Sequence, residues 1–310
     1  MITVANAPVS YGVFDLARPE LVPLPGGGEL LDAVAAAGYD AVAAAGYDAV
    51  DLGPRGLFGT GRALADALAG RGLLLCGAWI DLPLTGGDAE FDAALARALP
   101  VLEDLALLAS IQDGPPPRPT LADAGDESRR ARPGGGPGLE ADGRAWAALV
   151  EHLECVCALA RGLGLEPTFH HHAATYVETP AEIDRLLRDT SVGLTLDSGH
   201  LLLAGGDPLE GLDRWRDRIN HIHLKDVDAS VLPRAGRGPD ALRRLWEGRA
   251  FTALGDGDLD VTGLMDRIVA GGYDGYLVVE QDVVLLEQGD VERAGADQVR
   301  NRELLRRWIP

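Results

Sequence analysis

Eight times along this chain, a short run of β-type apolar residues gives way to a longer stretch rich in Ala, Leu and Arg, and nothing else narrows the choice of fold so far. The predicted strands are ITVANAP (2–8), AVDLG (49–53), LLLCGAWI (73–80), PTLADAG (119–125), EPTFHHH (166–172), VGLTLDSGH (192–200), INHIHLKDVD (219–228) and GYLVVEQD (275–282). Predicted helices follow them at 29–38, 61–72, 88–110, 140–163, after Pro180, and at 207–217, 259–272 and 290–308. Apolar residues at i, i+3 and i+4 mark the helices, most clearly at 140–163. Strand followed by helix, eight times over, is the pattern of a closed parallel (β/α)8 TIM barrel, read here as one domain over residues 1–310. A doubly wound open sheet would carry a glycine-rich phosphate loop after its first strand, and VANAPVSYG is not GxGxxG. A chain of 310 residues buries roughly three quarters of its unfolded surface and needs no disulfide or structural-metal staple.

Two segments break the regularity. Residues 113–140 are rich in Pro, Gly and Arg and read as a mobile loop beyond the fourth strand. The octapeptide AVAAAGYD at 33–40 recurs unchanged at 41–48. A copy this short is no repeat architecture. Absorbed by a helix it would rotate the register by about 80°; absorbed by a loop it would leave the core alone.

Composition excludes several function classes. The 28 basic residues face 48 acidic ones, a net charge of −20, and such a surface repels phosphate backbones and anionic lipid. No nucleic-acid or membrane partner is expected. No apolar run approaches the roughly 18 residues of a membrane span, and MITVANAPVSYG lacks the features of a signal peptide, so a cytoplasmic location is expected. Cys76, Cys155 and Cys157 are odd in number and without CxxC spacing, which disfavours a disulfide framework or a thiolate zinc site. A homo-oligomer stays open.

Two scarce residue types point to chemistry. Lys225 is the only lysine among 28 basic residues. Arginine cannot replace lysine where a compact, titratable ammonium is needed. Six of the seven histidines fall in three short segments, at 170–172, 200 and 221–223. A (β/α)8 barrel places its active site at the C-terminal ends of the strands, and these segments are strand ends. Alternation along the fifth strand turns His170 and His172 one way and His171 the other. The sixth ends in Asp197-Ser-Gly-His200, where Gly199 lets the chain turn and brings His200 over the barrel mouth. The seventh puts His221, His223 and Lys225 on one face, and the eighth ends in Glu280, a carboxylate after four apolar residues. Such a carboxylate is costly to bury without a cation.

His170, Asp197, His223 and Glu280 thus form a mixed nitrogen and oxygen donor set suited to Mn²⁺, Co²⁺, Fe²⁺ or Zn²⁺. An ion there would polarise a carbonyl, and a nearby base would remove the α-proton. Isomerisation, epimerisation and dehydration all begin this way. The loop LGDGDLD (254–260) alternates aspartates but lacks the glutamate of a calcium loop, and reads as a turn and helix cap.

NAPVSYGVF (6–14), FHHHAATYVETP (169–180), LDSGHLLLAGGDP (196–208), HIHLKDVD (221–228) and GYLVVEQD (275–282) resemble the inosose dehydratases, a branch of the xylose-isomerase-like (sugar phosphate isomerase/epimerase) barrels. The resemblance implies loss of water from 2-keto-myo-inositol, a small polyol ketone, in inositol catabolism. It also implies Mn²⁺ or Co²⁺ as cofactor, and glutathione is associated with the family. Carried over by position, Asp197, His223 and Glu280 match the metal strands. The superfamily often has glutamate where this chain has His170, so the fourth ligand is His170 or Glu178. Tyr11 stands where tryptophan is usual. The expected roles are His200 or Glu280 as base, Lys225 or His172 as acid, and Asn6 and Tyr11 as ring-binding residues. A ketose epimerase or hydroxypyruvate-type isomerase on the same barrel is the nearest alternative; a multi-zinc phosphodiesterase of the endonuclease IV type and a non-enzymatic sugar-binding barrel lie further off.

Overall fold

The eight strand ends do meet around one axis. The structure, a computed structural model, describes residues 1–35, 46–139 and 142–309. Ten strands are present among these: β1 (Ile2–Asn6), β2 (Ala49–Asp51), β3 (Leu74–Leu82), β4 (Arg118–Asp123), β5 (Thr168–His170), β6 (Gly193–Asp197), β7 (Ile219–Leu224), β8 (Asp226–Val227), β9 (Phe251–Thr252) and β10 (Gly275–Val279). Eight of them close a barrel in the order β1-β10-β7-β6-β5-β4-β3-β2, and every described pairing in it is parallel. The other two, β8 and β9, pair antiparallel above the barrel. Most of the tandem octapeptide, residues 36–45, lies outside the described residues.

Side-chain alternation sorts the strands into an inner and an outer set, with one break on β3, where the register with β2 shifts and the parity switches beyond Cys76. Val4, Val50, Leu75, Leu277 and Val279 join the large cluster that packs the barrel against its helices. Their neighbours Ala5, Ala49, Cys76, Tyr276 and Val278 form a separate small cluster with Ala7. The same parity on β5, β6 and β7 carries Thr168 and His170, Thr195 and Asp197, and His221 and His223. Thr168 and Thr195 meet directly, Oγ1 to Oγ1 at 2.9 Å. Register then aligns the strand ends: Asp197 lies beside His223, His223 beside Val278, and the Glu280 N–H donates to the Leu224 carbonyl at 3.1 Å.

The stretch read as one loop, 113–140, is divided by β4 and by a short helix, Glu127–Arg130. Its Arg129 is fully buried and pairs with Glu182, which explains why so polar a segment packs down. The DGD turn is a cap, as expected: Asp260 accepts from Gly263 N–H at 2.8 Å and opens the helix Val261–Ala270. Among the described residues no helix is long and apolar enough to cross a membrane.

Candidate metal centre and active site

Each predicted donor arrives by a simple local device. Asp197 ends β6 and caps the helix Ser198–Leu203, its Oδ1 accepting from His200 N–H at 2.8 Å. Its other oxygen, Oδ2, is buried and has no hydrogen-bond partner. That oxygen lies 3.3 Å from His170 Nε2 and 3.7 Å from His223 Nδ1. The two imidazole nitrogens are 3.0 Å apart, and Glu280 Oε2 is 3.3 Å from His223 Nδ1. Ligands held about 2.0–2.2 Å from a common ion stand roughly 3.0–3.5 Å from one another, so these spacings are those of coordination edges. His170, Asp197, His223 and Glu280 could hold a metal ion, with all donor atoms within 4.8 Å of each other.

Charge supports the same fit. Asp197, Glu280 and Asp282 are buried carboxylates, and Lys225 Nζ approaches them at 3.3, 2.9 and 2.8 Å. Three negative charges against one ammonium leave two formally uncompensated, which a divalent cation would balance. Burial alone would raise the Asp197 carboxyl, but Lys225 and the surrounding imidazoles outweigh it and hold it well below the usual carboxylate range. Glu280 is likewise held low against burial by His223 and Lys225. Burial opposes the Lys225 ammonium, yet the three carboxylates together push its pKa up, so it stays charged. Burial lowers His170, and it drives His172 and His200 well below the normal imidazole range, so both of these are neutral at pH 7.

Lys225 pairs with Asp282 rather than with its neighbour Asp226. The Asp226 carboxylate is turned away, accepting backbone N–H groups from Val227, Gly255, Gly257 and Leu259 at 2.8–3.1 Å. Gly199 serves close approach rather than a turn: it lies inside a helix, and a Cβ there would meet the Lys225 stem at 2.9 Å.

Above the cluster opens a cavity of about 460 Å³, large enough for a six-membered polyol ring. His170, His172, His223, Lys225 and Glu280 line it. His172 Nδ1 is 2.8 Å from the Ala173 carbonyl, so Nδ1 carries the proton and Nε2 keeps a free lone pair. His200 does not line the cavity; its Nε2 faces Lys225 Nζ at 3.2 Å.

Three expectations change. Asn6 has the wrong parity: Ala5 and Ala7 face inward, while Asn6 is fully buried and donates to Gln298 of the helix Gly289–Leu305 at 2.9 Å. Tyr11 ends a short 3₁₀ turn inside the core, its hydroxyl without a partner and raised in pKa by burial, and it does not line the cavity. Glu178 is not a ligand candidate. Its carboxylate accepts from the N–H groups of Ala174 and Gly135 and lies 3.6 Å from Arg129, which ties the 134–136 turn to the His172–Thr175 loop.

Two of the cavity residues that the sequence did not single out stand close to the metal cluster. Asp51, at the end of β2, is buried, accepts from Gly53 N–H at 2.9 Å, and is raised to about 7 by burial, with Glu280 adding to the rise. Trp79 on β3 is 38% exposed inside a barrel strand because it faces the cavity, edge-on to His170 at 5.2 Å. Trp79 and Asp81 are the two exposed positions of β3, two residues apart, but the apolar run LLLCGAWI gives no sequence signal of it.

A model of the "Xylose isomerase-like TIM barrel" family matches residues 31–302. The chain belongs to that family. The fold of this family member is also that of the solved "IOLI protein with a binding zinc atom", at a TM-score of 0.64 and 13% identity over 99% of both chains. Inosose dehydratase of Lacticaseibacillus casei is 39% identical over 140 residues, 44% of this xylose isomerase-like chain and 47% of that protein. The rhizopine catabolism protein MocC of Rhizobium meliloti is 40% identical over 144 residues, 45% and 44% of the two chains. The chain thus spans about half the length of the curated relatives it matches.

Proposed function

We propose that this barrel is a metal-dependent hydro-lyase that removes water from a cyclic polyol ketone of the 2-keto-myo-inositol type, as its inosose dehydratase relatives are named for doing. One observation carries the reading: four donors stand at coordination-edge spacing, three of them lining a ring-sized cavity, in a chain 39% identical to an inosose dehydratase over 140 residues. His170, Asp197, His223 and Glu280 would hold the ion; the donor set suits Mn²⁺, Co²⁺, Fe²⁺ or Zn²⁺, and the likeness to the inosose dehydratases selects Mn²⁺ or Co²⁺. When bound, the ion supplies Lewis-acid polarisation of the ketone and a fixed double positive charge.

The chain's own groups divide the rest. His172, neutral and with Nε2 free toward the cavity, takes the proton from the carbon beside the ketone. Lys225 stays an ammonium and stabilises negative charge developing on the substrate oxygen, a better use of a raised pKa than proton donation. Asp51, its pKa raised by burial in the metal-free site, gives its proton to the departing β-hydroxyl. The C–H electron pair becomes a C=C bond, the C–O bond breaks, and water leaves; the enol product tautomerises to the dione. His200 and Glu280 then act by holding Lys225 and the ion instead of as bases.

Incubating inosose with Mn²⁺-loaded protein should generate the ultraviolet absorbance of a conjugated enol-dione. An epimerised or isomerised polyol with no such absorbance would replace the dehydratase reading with that of an epimerase.

A further inference from the structure

A second group of metal-type donors touches the first. His172, His200 and Asp282 have donor atoms within 4.8 Å of one another, and the His172 and His200 rings are 3.7 Å apart. Between the two groups lies Lys225 Nζ, 1% exposed as a residue, with Phe251 5.2 Å away. Its surroundings are Asp282 Oδ1 at 2.8 Å, Glu280 Oε2 at 2.9 Å, His200 Nε2 at 3.2 Å and Asp197 Oδ2 at 3.3 Å.

Three carboxylate oxygens and an imidazole nitrogen around one point are the donors of a divalent-metal site, not the usual setting of an ammonium, whose three N–H groups cannot serve four acceptors at once. Asp197 Oδ2 and Glu280 Oε2 are also the oxygens that face the two histidines of the first site. Each therefore stands between the two positions, as a bridging carboxylate does in a two-metal centre. Gly199 completes the arrangement, because only a residue without Cβ lets the lysine stem pass the helix at this depth.

We propose that the Lys225 ammonium occupies the position of the second ion in a carboxylate-bridged metal pair, and that this one side chain limits the centre to a single metal. The inference rests on the metal-centre reading above. It makes His172, His200 and Asp282 a latent divalent-cation site that opens when the lysine is shortened.

Wild-type protein and Lys225→Ala, both produced with Mn²⁺ in the medium, are freed of loose metal by gel filtration and their ions counted by elemental analysis. One ion per chain is expected in the wild type and two in the variant, with the variant showing the electron paramagnetic resonance spectrum of a spin-coupled Mn²⁺ pair. Anomalous scattering should place the two ions about 3.5–4 Å apart. Adding His200→Ala to Lys225→Ala should return the count to one. Lys225→Ser, whose hydroxyl can hydrogen-bond the stranded carboxylates, is the second variant should the alanine form not fold. One ion in the wild type and still one in the shortened variants overturns the proposal, as do two ions in the wild type. No ion in any form overturns the metal-centre reading and this proposal together.

Discussion

The two halves of the barrel mouth are built from different materials. From β5 to β10 the inward strand ends carry His170, Asp197, His223, Lys225 and Glu280, packed into one buried ionic cluster. From β1 to β3 the cavity-facing positions include Ala7, Asp51, Trp79 and Asp81, with space between them. One half gathers charge tightly enough to fix an ion; the other leaves room for a ring and offers it the Trp79 face and separate carboxyls, Asp51 and Asp81, that are not gathered into the ionic cluster. A (β/α)8 barrel permits this because each strand contributes its end independently, so half of the mouth can change without moving the other.

The comparison is tested most severely on the charged half. Asp197→Ala or His223→Ala should abolish tight Mn²⁺ binding and lower kcat/KM by at least about 10³-fold. EDTA treatment of the wild type should do the same, with Mn²⁺ or Co²⁺ restoring activity. Full turnover by metal-free enzyme would reduce the cluster to a structural ion network. On the boundary between the halves, His172→Gln should cost roughly 10²–10³-fold in kcat with metal content unchanged. An equal loss of bound metal would instead make His172 a ligand.

The same division explains what was legible in the sequence. Charged and imidazole residues at consecutive strand ends stand out against apolar runs, so His170, Asp197, His223, Lys225 and Glu280 are visible as a set, and alternation alone orients them. The half that binds the ring gives no such signal. Asn6 looks more polar and more functional than Ala5 or Ala7, but inward parity belongs to the alanines, and the asparagine goes to Gln298. Asp51 reads as an ordinary strand-end acid in AVDLG, and Trp79 as one more apolar residue in LLLCGAWI. Only the closed barrel distinguishes which face of each strand meets the cavity. Glu178 shows the converse: a carboxylate near the histidines in sequence, yet used to fasten a loop to Arg129.

Asp51 provides the next largest expected effect. Asp51→Asn keeps the acceptor for Gly53 N–H but removes the transferable proton, so kcat should fall roughly 10–100-fold. The rate of the loaded enzyme should also decline with rising pH as this carboxyl ionises, at a pH that the bound ion's charge sets below the metal-free value of about 7. Stability in metal-free protein carries the same signature. A carboxyl raised above its unfolded value favours the folded state fully below about pH 4, and that contribution is lost as pH rises through about 7. Wild type and Asp51→Asn should therefore melt alike at pH 4, with the variant higher by several degrees at pH 8. Parallel melting curves across that window would show that the carboxyl is not strained by its site.

The smallest effect belongs to the aromatic wall. Trp79 stands edge-on to His170 and 5.0 Å from His172, so its position is set by the same side chains that define the charged half. Its 38% exposed indole gives the open half an aromatic face, and the C–H face of a polyol ring can stack on it. Such a contact acts on bound substrate and transition state alike, and uniform binding of this kind appears in KM with kcat little changed. Trp79→Ala should raise KM about tenfold, near 1.4 kcal/mol, while metal content stays at the wild-type level. Trp79→Phe should recover most of that loss, because the stacking face survives. If kcat falls instead and phenylalanine does not rescue it, Trp79 works through His170 and His172 by holding their rings in place, and the open half of the mouth is then an extension of the charged one.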